Sequence, residues 1–117
     1  MKKSKTLICD IDGVLLKHKN QGLSGQMNSE PLNGTIEKLN EWDAKGHNII
    51  LITGRRESLR NFTEKQLQSF GIFYDQLIMG VGGGDRIVIN DKKPNKSDDT
   101  CFAINLTRNE GINDINL

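Results

Sequence analysis

Asp10 and Asp12 stand two residues apart where the apolar run Thr6–Ile11 ends, and Gly13 follows them directly. In an extended chain, alternation puts both carboxylates on one side of the backbone and Ile11 on the other. Gly13 then lets the chain turn away sharply. Carboxylates this close repel each other unless a cation sits between them or one holds a proton. Both solutions suit phosphoryl transfer: a divalent ion keeps Asp10 ionised and neutralises the phosphate, while Asp12 passes a proton to the leaving oxygen. A second candidate cluster, Thr53-Gly54-Arg55, closes the run Asn48–Thr53 just ahead of a helical pattern. A hydroxyl beside free amides at a helix start is an anion site, Gly54 permits close approach, and Arg55 or Arg56 adds a forked contact to phosphate.

The elements that must position these groups alternate along the chain. Five short runs rich in Ile, Leu and Val read as strands: Thr6–Ile11, Asn48–Thr53, Gln76–Met79, Arg86–Asn90 and Cys101–Leu106. The first two do not alternate cleanly, as expected for strands covered on both faces of a parallel sheet. Helical spacing covers Leu32 to Lys45, stopped by Gly46, and Glu57 to Phe70, stopped by Gly71. Trp42 takes a core-facing position in the first of these. Strands alternating with helices imply right-handed βαβ units and a doubly wound sheet. The expectation is an α/β, Rossmann-like parallel sheet of about five strands with helices on both faces. Lys17–Glu30 reads as a loop or small flap, Gly80–Asp85 as a tight glycine-rich connection, and Asp98-Asp99 as part of a solvated loop. The Asn-rich residues 107–117 read as a loosely ordered tail to a single domain spanning 1–117.

With the elements in place, the pattern Asp10-Ile11-Asp12-Gly13-Val14-Leu15 resembles the first motif of haloacid-dehalogenase-like (HAD) phosphohydrolases. The resemblance runs from Thr6 to about Leu106 and implies a nucleophile that forms an aspartyl-phosphate at Asp10. It also implies a general acid and base at Asp12, whose backbone carbonyl binds Mg²⁺. Thr53 resembles the second motif's phosphate-binding hydroxyl. Asn90-Asp91, after the fourth run, resembles the acidic metal-binding motif, which assigns the ion to Asp10, Asp12 and Asp91. The chain departs from the family at the third motif, where Gly80-Val81-Gly82 stands in place of a lysine-bearing stretch. Arg86, Lys92 or Lys93 is left to supply that charge, and Lys93 is the preferred phosphate ligand.

The resemblance further implies a protein without a cap domain. Residues 15–32 and 56–76 have room for a flap and one helix respectively, so the open site needs a second subunit or a large substrate as its wall. Small phosphatases associated with surface-polysaccharide biosynthesis share the Asn-Asp-x-Lys-Pro stretch, which implies a sugar phosphate or similar small metabolite as substrate. The alternatives are a non-catalytic module that binds a phosphorylated ligand and a polynucleotide 3′-phosphatase.

Composition bounds the partners. The 117 residues suit one domain, and 16 Lys and Arg against 15 Asp and Glu give a formal net charge of +1. That balance calls for neither a nucleic-acid backbone nor an anionic membrane. The longest apolar run is strand-length, too short to span a bilayer. Asp10 and Asp12 interrupt the apolar run behind the basic start Met1–Thr6, which argues against a secretory leader. Cys9 and Cys101 both lie in apolar runs and read as buried free thiols of a cytoplasmic protein. His18 and His47 read as surface residues.

Overall fold

The structure, a computed structural model, describes residues 3–95 and 97–117; the first two residues of the basic start lie outside them. Leu7, Cys9, Ile49, Leu51 and Leu77 alternate with their neighbours along three short strands. These are β1 (Thr6–Asp10), β2 (Asn48–Ile52) and β3 (Gln76–Ile78). They form a parallel sheet of order β1-β2-β3, with Leu7 beside Ile49, Cys9 beside Leu51, and Leu51 beside Leu77. Helix α2 (Thr35–Ala44) returns the chain from β1 to β2, and α3 (Arg60–Ser69), entered through a 3₁₀ turn at Glu57–Leu59, returns it from β2 to β3. A short helix, α1 (Gly22–Met27), occupies the flap between β1 and α2.

The α2 residues Leu39 and Trp42 and the α3 residue Leu67 are fully buried in one cluster with Leu7, Ile49, Leu51 and Leu77. Trp42 is therefore core, as its helical position predicts. The opposite sheet face carries Ile8, Ile50, Ile52 and Ile78, and Ile8 and Ile78 stay exposed. Only one face is thus well covered, in place of the expected two. Strands placed side by side in chain order and joined by right-handed crossovers put both returning helices on the same face.

The sheet also stops at three strands where five were expected. The runs Arg86–Asn90 and Cys101–Leu106 are irregular, with Ile87 83%, Ile89 95% and Phe102 78% exposed. A parallel connection ordinarily needs a crossover of about a dozen residues or more. Gly80–Asp85 provides only a short glycine-rich link from β3, and the outer edge of β1 lies two strands away. Cys101 is consequently exposed rather than buried, although both cysteines are free as expected.

The tail is ordered, contrary to its Asn-rich reading. Ile112 is fully buried in the core, Ile115 and Leu117 pack against it, and Ile112 N–H donates to the Asn33 carbonyl at 3.2 Å. Lys38 Nζ and Lys45 Nζ bind Asn116 Oδ1 and the Leu117 carbonyl. Gly34 opens α2 at φ +86°, and a Cβ there would sit 2.5 Å from Asn113 Cα. Gly34→Ala is expected to cost about 2–3 kcal/mol, from left-handed strain plus a backbone clash. A Tm about 10 °C lower would report it. Gly83→Ala, which meets nothing within 4 Å, should leave Tm within about 2 °C. Among the described residues no helix is long and apolar enough to cross a membrane.

Candidate active site

The tip of β1 is built as a tight backbone knot. Ile11 is fully buried, and the N–H groups of Val14, Leu15 and Leu16 converge on its carbonyl at 3.2, 2.9 and 3.0 Å. Gly13 makes the turn at φ +92°, its N–H donating to the Leu16 carbonyl at 2.7 Å. Asp10 ends the strand, and its Oδ1 accepts from Ile11 N–H at 2.9 Å. Partial removal from water raises the Asp10 carboxyl above its ordinary range, and the neighbouring Asp12 adds to this. The Ile11 amide and the charges of Arg86 and His18 pull the other way. The sequence placed both carboxylates at this tip, and the structure brings them together there.

Asp12 is held from across the sheet. Arg55, 3% exposed, forks onto it, Nε donating to Oδ2 at 2.9 Å and Nη2 to Oδ1 at 2.8 Å. Nη1 donates to Thr63 Oγ1 at 3.1 Å and Gln66 Oε1 at 2.7 Å, both on α3. Four of the five guanidinium donors are thereby used inside the protein. Arg55, expected as a phosphate ligand, is seen here on a carboxylate: its planar fork fits carboxylate as well as phosphate, and Asp12 occupies it. What it does here is fix the plane of the Asp12 carboxylate. Thr53 stands at the tip of β2 as expected but is 1% exposed, and its Oγ1 accepts from Arg55 N–H at 3.1 Å. Gly54 is exposed and passes close to the Gly82 carbonyl, so a side chain there would crowd the glycine-rich link.

The remaining predicted residues lie elsewhere. Asp91 is exposed, with Lys93 Nζ 3.6 Å from its Oδ2, and Lys92 pairs with Asp99 at 3.5 Å. Asn90 Nδ2 donates to Thr100 Oγ1 at 3.0 Å. Lys93 is thus seen beside Asp91; of the three cations weighed, Arg86 is the one whose charge acts on Asp10. Among the described residues no three His, Cys, Asp or Glu side chains gather closely enough to hold a metal ion. The groups at the β1 tip are nonetheless hard oxygen donors, an Asp10 carboxylate that forms no salt bridge among the described residues and the Asp12 carbonyl. Such a partial set suits Mg²⁺, which keeps several waters and takes few carboxylates.

Two residues were missed. His18 is half-buried rather than on the surface, its Nδ1 enclosed without a partner among the described residues, and it acts on Asp10 electrostatically. Asn109, in the tail, adopts φ +68° and clamps His18 from both sides, Oδ1 accepting from its N–H at 2.7 Å and Nδ2 donating to its carbonyl at 3.0 Å. Asn109 N–H also donates to the Gly13 carbonyl at 2.9 Å, which ties the tail to the aspartate turn. A non-glycine residue tolerant of the left-handed region was the only signal in the sequence. His47 is buried too, its Nδ1 accepting from Lys5 N–H at 2.9 Å.

A family model described as HAD superfamily, subfamily IIIB (Acid phosphatase), matches residues 2–100. Among solved structures, the chain is 28% identical to a chain of a Pnkp1/Rnl/Hen1 complex at TM-score 0.58, covering 71% of this chain and 30% of that one. It is 25% identical to a chain of a Pnkp1/Rnl/Hen1 RNA repair complex at TM-score 0.56, covering 80% and 28%. A structural-genomics target from Vibrio cholerae shares the fold at TM-score 0.52 and 24% identity, covering 74% and 79%. The chain thus spans less than a third of the length of the repair-complex chains it matches. No curated protein matches it.

Proposed function

Because the chain belongs to the HAD superfamily, subfamily IIIB, we propose that it hydrolyses a phosphomonoester through Asp10. The observation that carries this reading is the pair at the β1 tip: one carboxylate that forms no salt bridge among the described residues, the other locked in place by Arg55. Asp10 attacks phosphorus in line, the bond to the leaving oxygen breaks, and that oxygen takes its proton from Asp12. Water then attacks the aspartyl-phosphate and gives its proton back to Asp12, releasing phosphate and restoring Asp10. Holding the Asp12 plane fixed serves both proton transfers. In this reading Arg86, whose charge acts on Asp10, stands in for the family's lysine.

Mg²⁺ is the cofactor in this reading, held by Asp10 and the Asp12 carbonyl. When bound it would neutralise charge on the phosphate. Asp91, exposed beside Lys93 in this structure, is the third residue assigned to the ion in this reading. Thr53 and Gly54 border the phosphate position.

The substrate in this reading is a sugar phosphate or similar small metabolite, and a second subunit closes the open site. Cytoplasmic residence, the ordinary setting for two free thiols, belongs to the same reading. A polynucleotide 3′-phosphatase is the second reading, favoured by the two repair-complex chains at 28% and 25% identity. A phosphate-release screen over sugar phosphates, nucleotides and 3′-phosphorylated oligonucleotides, with Mg²⁺ or with EDTA, tests both. Release lost by at least about a hundredfold in EDTA is expected. Metal-dependent ligand binding without turnover would instead identify a non-catalytic module.

A further inference from the structure

A half-open recess of about 130 Å³ lies between the flap and the aspartate turn, lined by Asp12, Lys17, His18, Lys19 and Gln26 among others. A water molecule's share of liquid is about 30 Å³, so this space admits a phosphate-sized group. Its wall is held by the fold at several points. Lys17 N–H donates to the Glu30 carbonyl at 2.8 Å, and Ser29 Oγ donates to the Lys17 carbonyl. Asn109 clamps the His18 backbone, and Lys19 Nζ donates to the Asn28 carbonyl at 2.8 Å, leaving its other two protons free.

Charge in the cavity is unbalanced. Among the described residues neither Lys17 nor Lys19 forms a salt bridge. The one carboxylate in the lining, Asp12, is already forked by Arg55. Two lysines therefore line a small recess whose one carboxylate is already engaged, and His18 lies between them in its wall.

Position gives this recess a role, given the reading of Asp12 as proton donor. A group that protonates the leaving oxygen stands within hydrogen-bond reach of it, so whatever that oxygen carries lies beside Asp12. We propose that the recess of Lys17, His18 and Lys19 is the leaving-group subsite and receives a second anionic group of the substrate. The substrate class is then a phosphomonoester whose leaving group bears its own phosphate, phosphodiester or carboxylate. Neutral sugars lack the charge to use it.

Two matched pairs of compounds test this: adenosine 3′,5′-bisphosphate against adenosine 3′-monophosphate, and glucose 1,6-bisphosphate against glucose 1-phosphate. Affinity comes from calorimetry and kcat/KM from phosphate release, on the full chain with Mg²⁺. The second phosphate should improve affinity by about tenfold in at least one pair, and which pair responds separates nucleotide from sugar as its source. Lys17→Gln with Lys19→Gln should erase that preference, and raised salt should weaken it. Arginine at both positions should restore it, which sets a misfolded glutamine variant apart from a discharged one. Lys65→Gln, an exposed change on α3, should leave it unaltered. Equal affinity within both pairs, or a preference that survives removal of both lysines in a folded protein, overturns the inference. Binding preference without any phosphate release would sustain the subsite and discard the phosphatase reading. Release without preference would do the reverse.

Discussion

Asp10→Asn is expected to lower phosphate release by about a thousandfold or more and at the same time to raise the unfolding midpoint at neutral pH. The first effect follows from chemistry, since an amide oxygen is too weak a nucleophile to form the aspartyl-phosphate. The second follows from the position of the carboxylate. Partial desolvation and the nearby Asp12 raise the Asp10 carboxyl in the folded state, so folding favours its protonated form. Its contribution to stability is therefore fully present below the unfolded-state value and is lost as pH rises through the folded-state one. At pH 7 the wild type bears an ionised Asp10 that the Asn variant does not. At about pH 3 both side chains are neutral and the difference between the two melting curves should close. Mg²⁺ should narrow the neutral-pH gap by stabilising the wild type through binding. Melting curves from pH 3 to 8 beside phosphate release measure both effects. Undiminished turnover in the variant would move the nucleophile elsewhere, and a midpoint lowered at pH 7 would mean that the carboxylate is stabilised where it stands.

Local chemistry was legible in the sequence, and long-range pairing was not. Asp10, Asp12 and Gly13 announced a turn at a strand end because alternation and a sharp bend are properties of a few adjacent residues. Thr53 and Gly54 were placed at the next strand tip on the same grounds. The pairing of Arg55 with Asp12 was not legible, because the group its fork meets lies 43 residues earlier in the chain. Arg86–Asn90 carries a good strand pattern, yet a strand needs an edge to pair with, and nothing local says whether the short glycine-rich link reaches one. Its failure to pair also leaves Asp91 and Lys93 away from the tip. In the tail, the asparagines hid Ile112, Ile115 and Leu117, whose packing against the core is what orders the segment. Asn109 then clamps His18, a contact between residues 91 positions apart that no motif advertises.

Replacing Arg55 is expected to have the largest effect on stability. Arg55→Met leaves Asp12, whose side chain is 16% exposed, without the guanidinium that neutralises it, and strands Thr63 and Gln66 without their donor. Breaking a buried pair from one side costs about 3–5 kcal/mol, a large fraction of the 5–15 kcal/mol that typically holds a domain folded. Because that loss can unfold the chain outright, Arg55→Lys is the more informative variant. An ammonium keeps the charge but cannot fork, so the Asp12 plane should loosen. A loss of about 1–2 kcal/mol in stability is expected, with kcat down by about a hundredfold from a misplaced proton donor. Asp12→Asn combined with Arg55→Lys should cost less than the two single changes added together, since each partner is worth most when the other is present. A phosphate ligand would behave differently: lysine there would raise KM, leave the ligand-free midpoint nearly unchanged, and act additively with Asp12→Asn. The two assignments of Arg55 therefore separate on measurements made without substrate, before its identity is known.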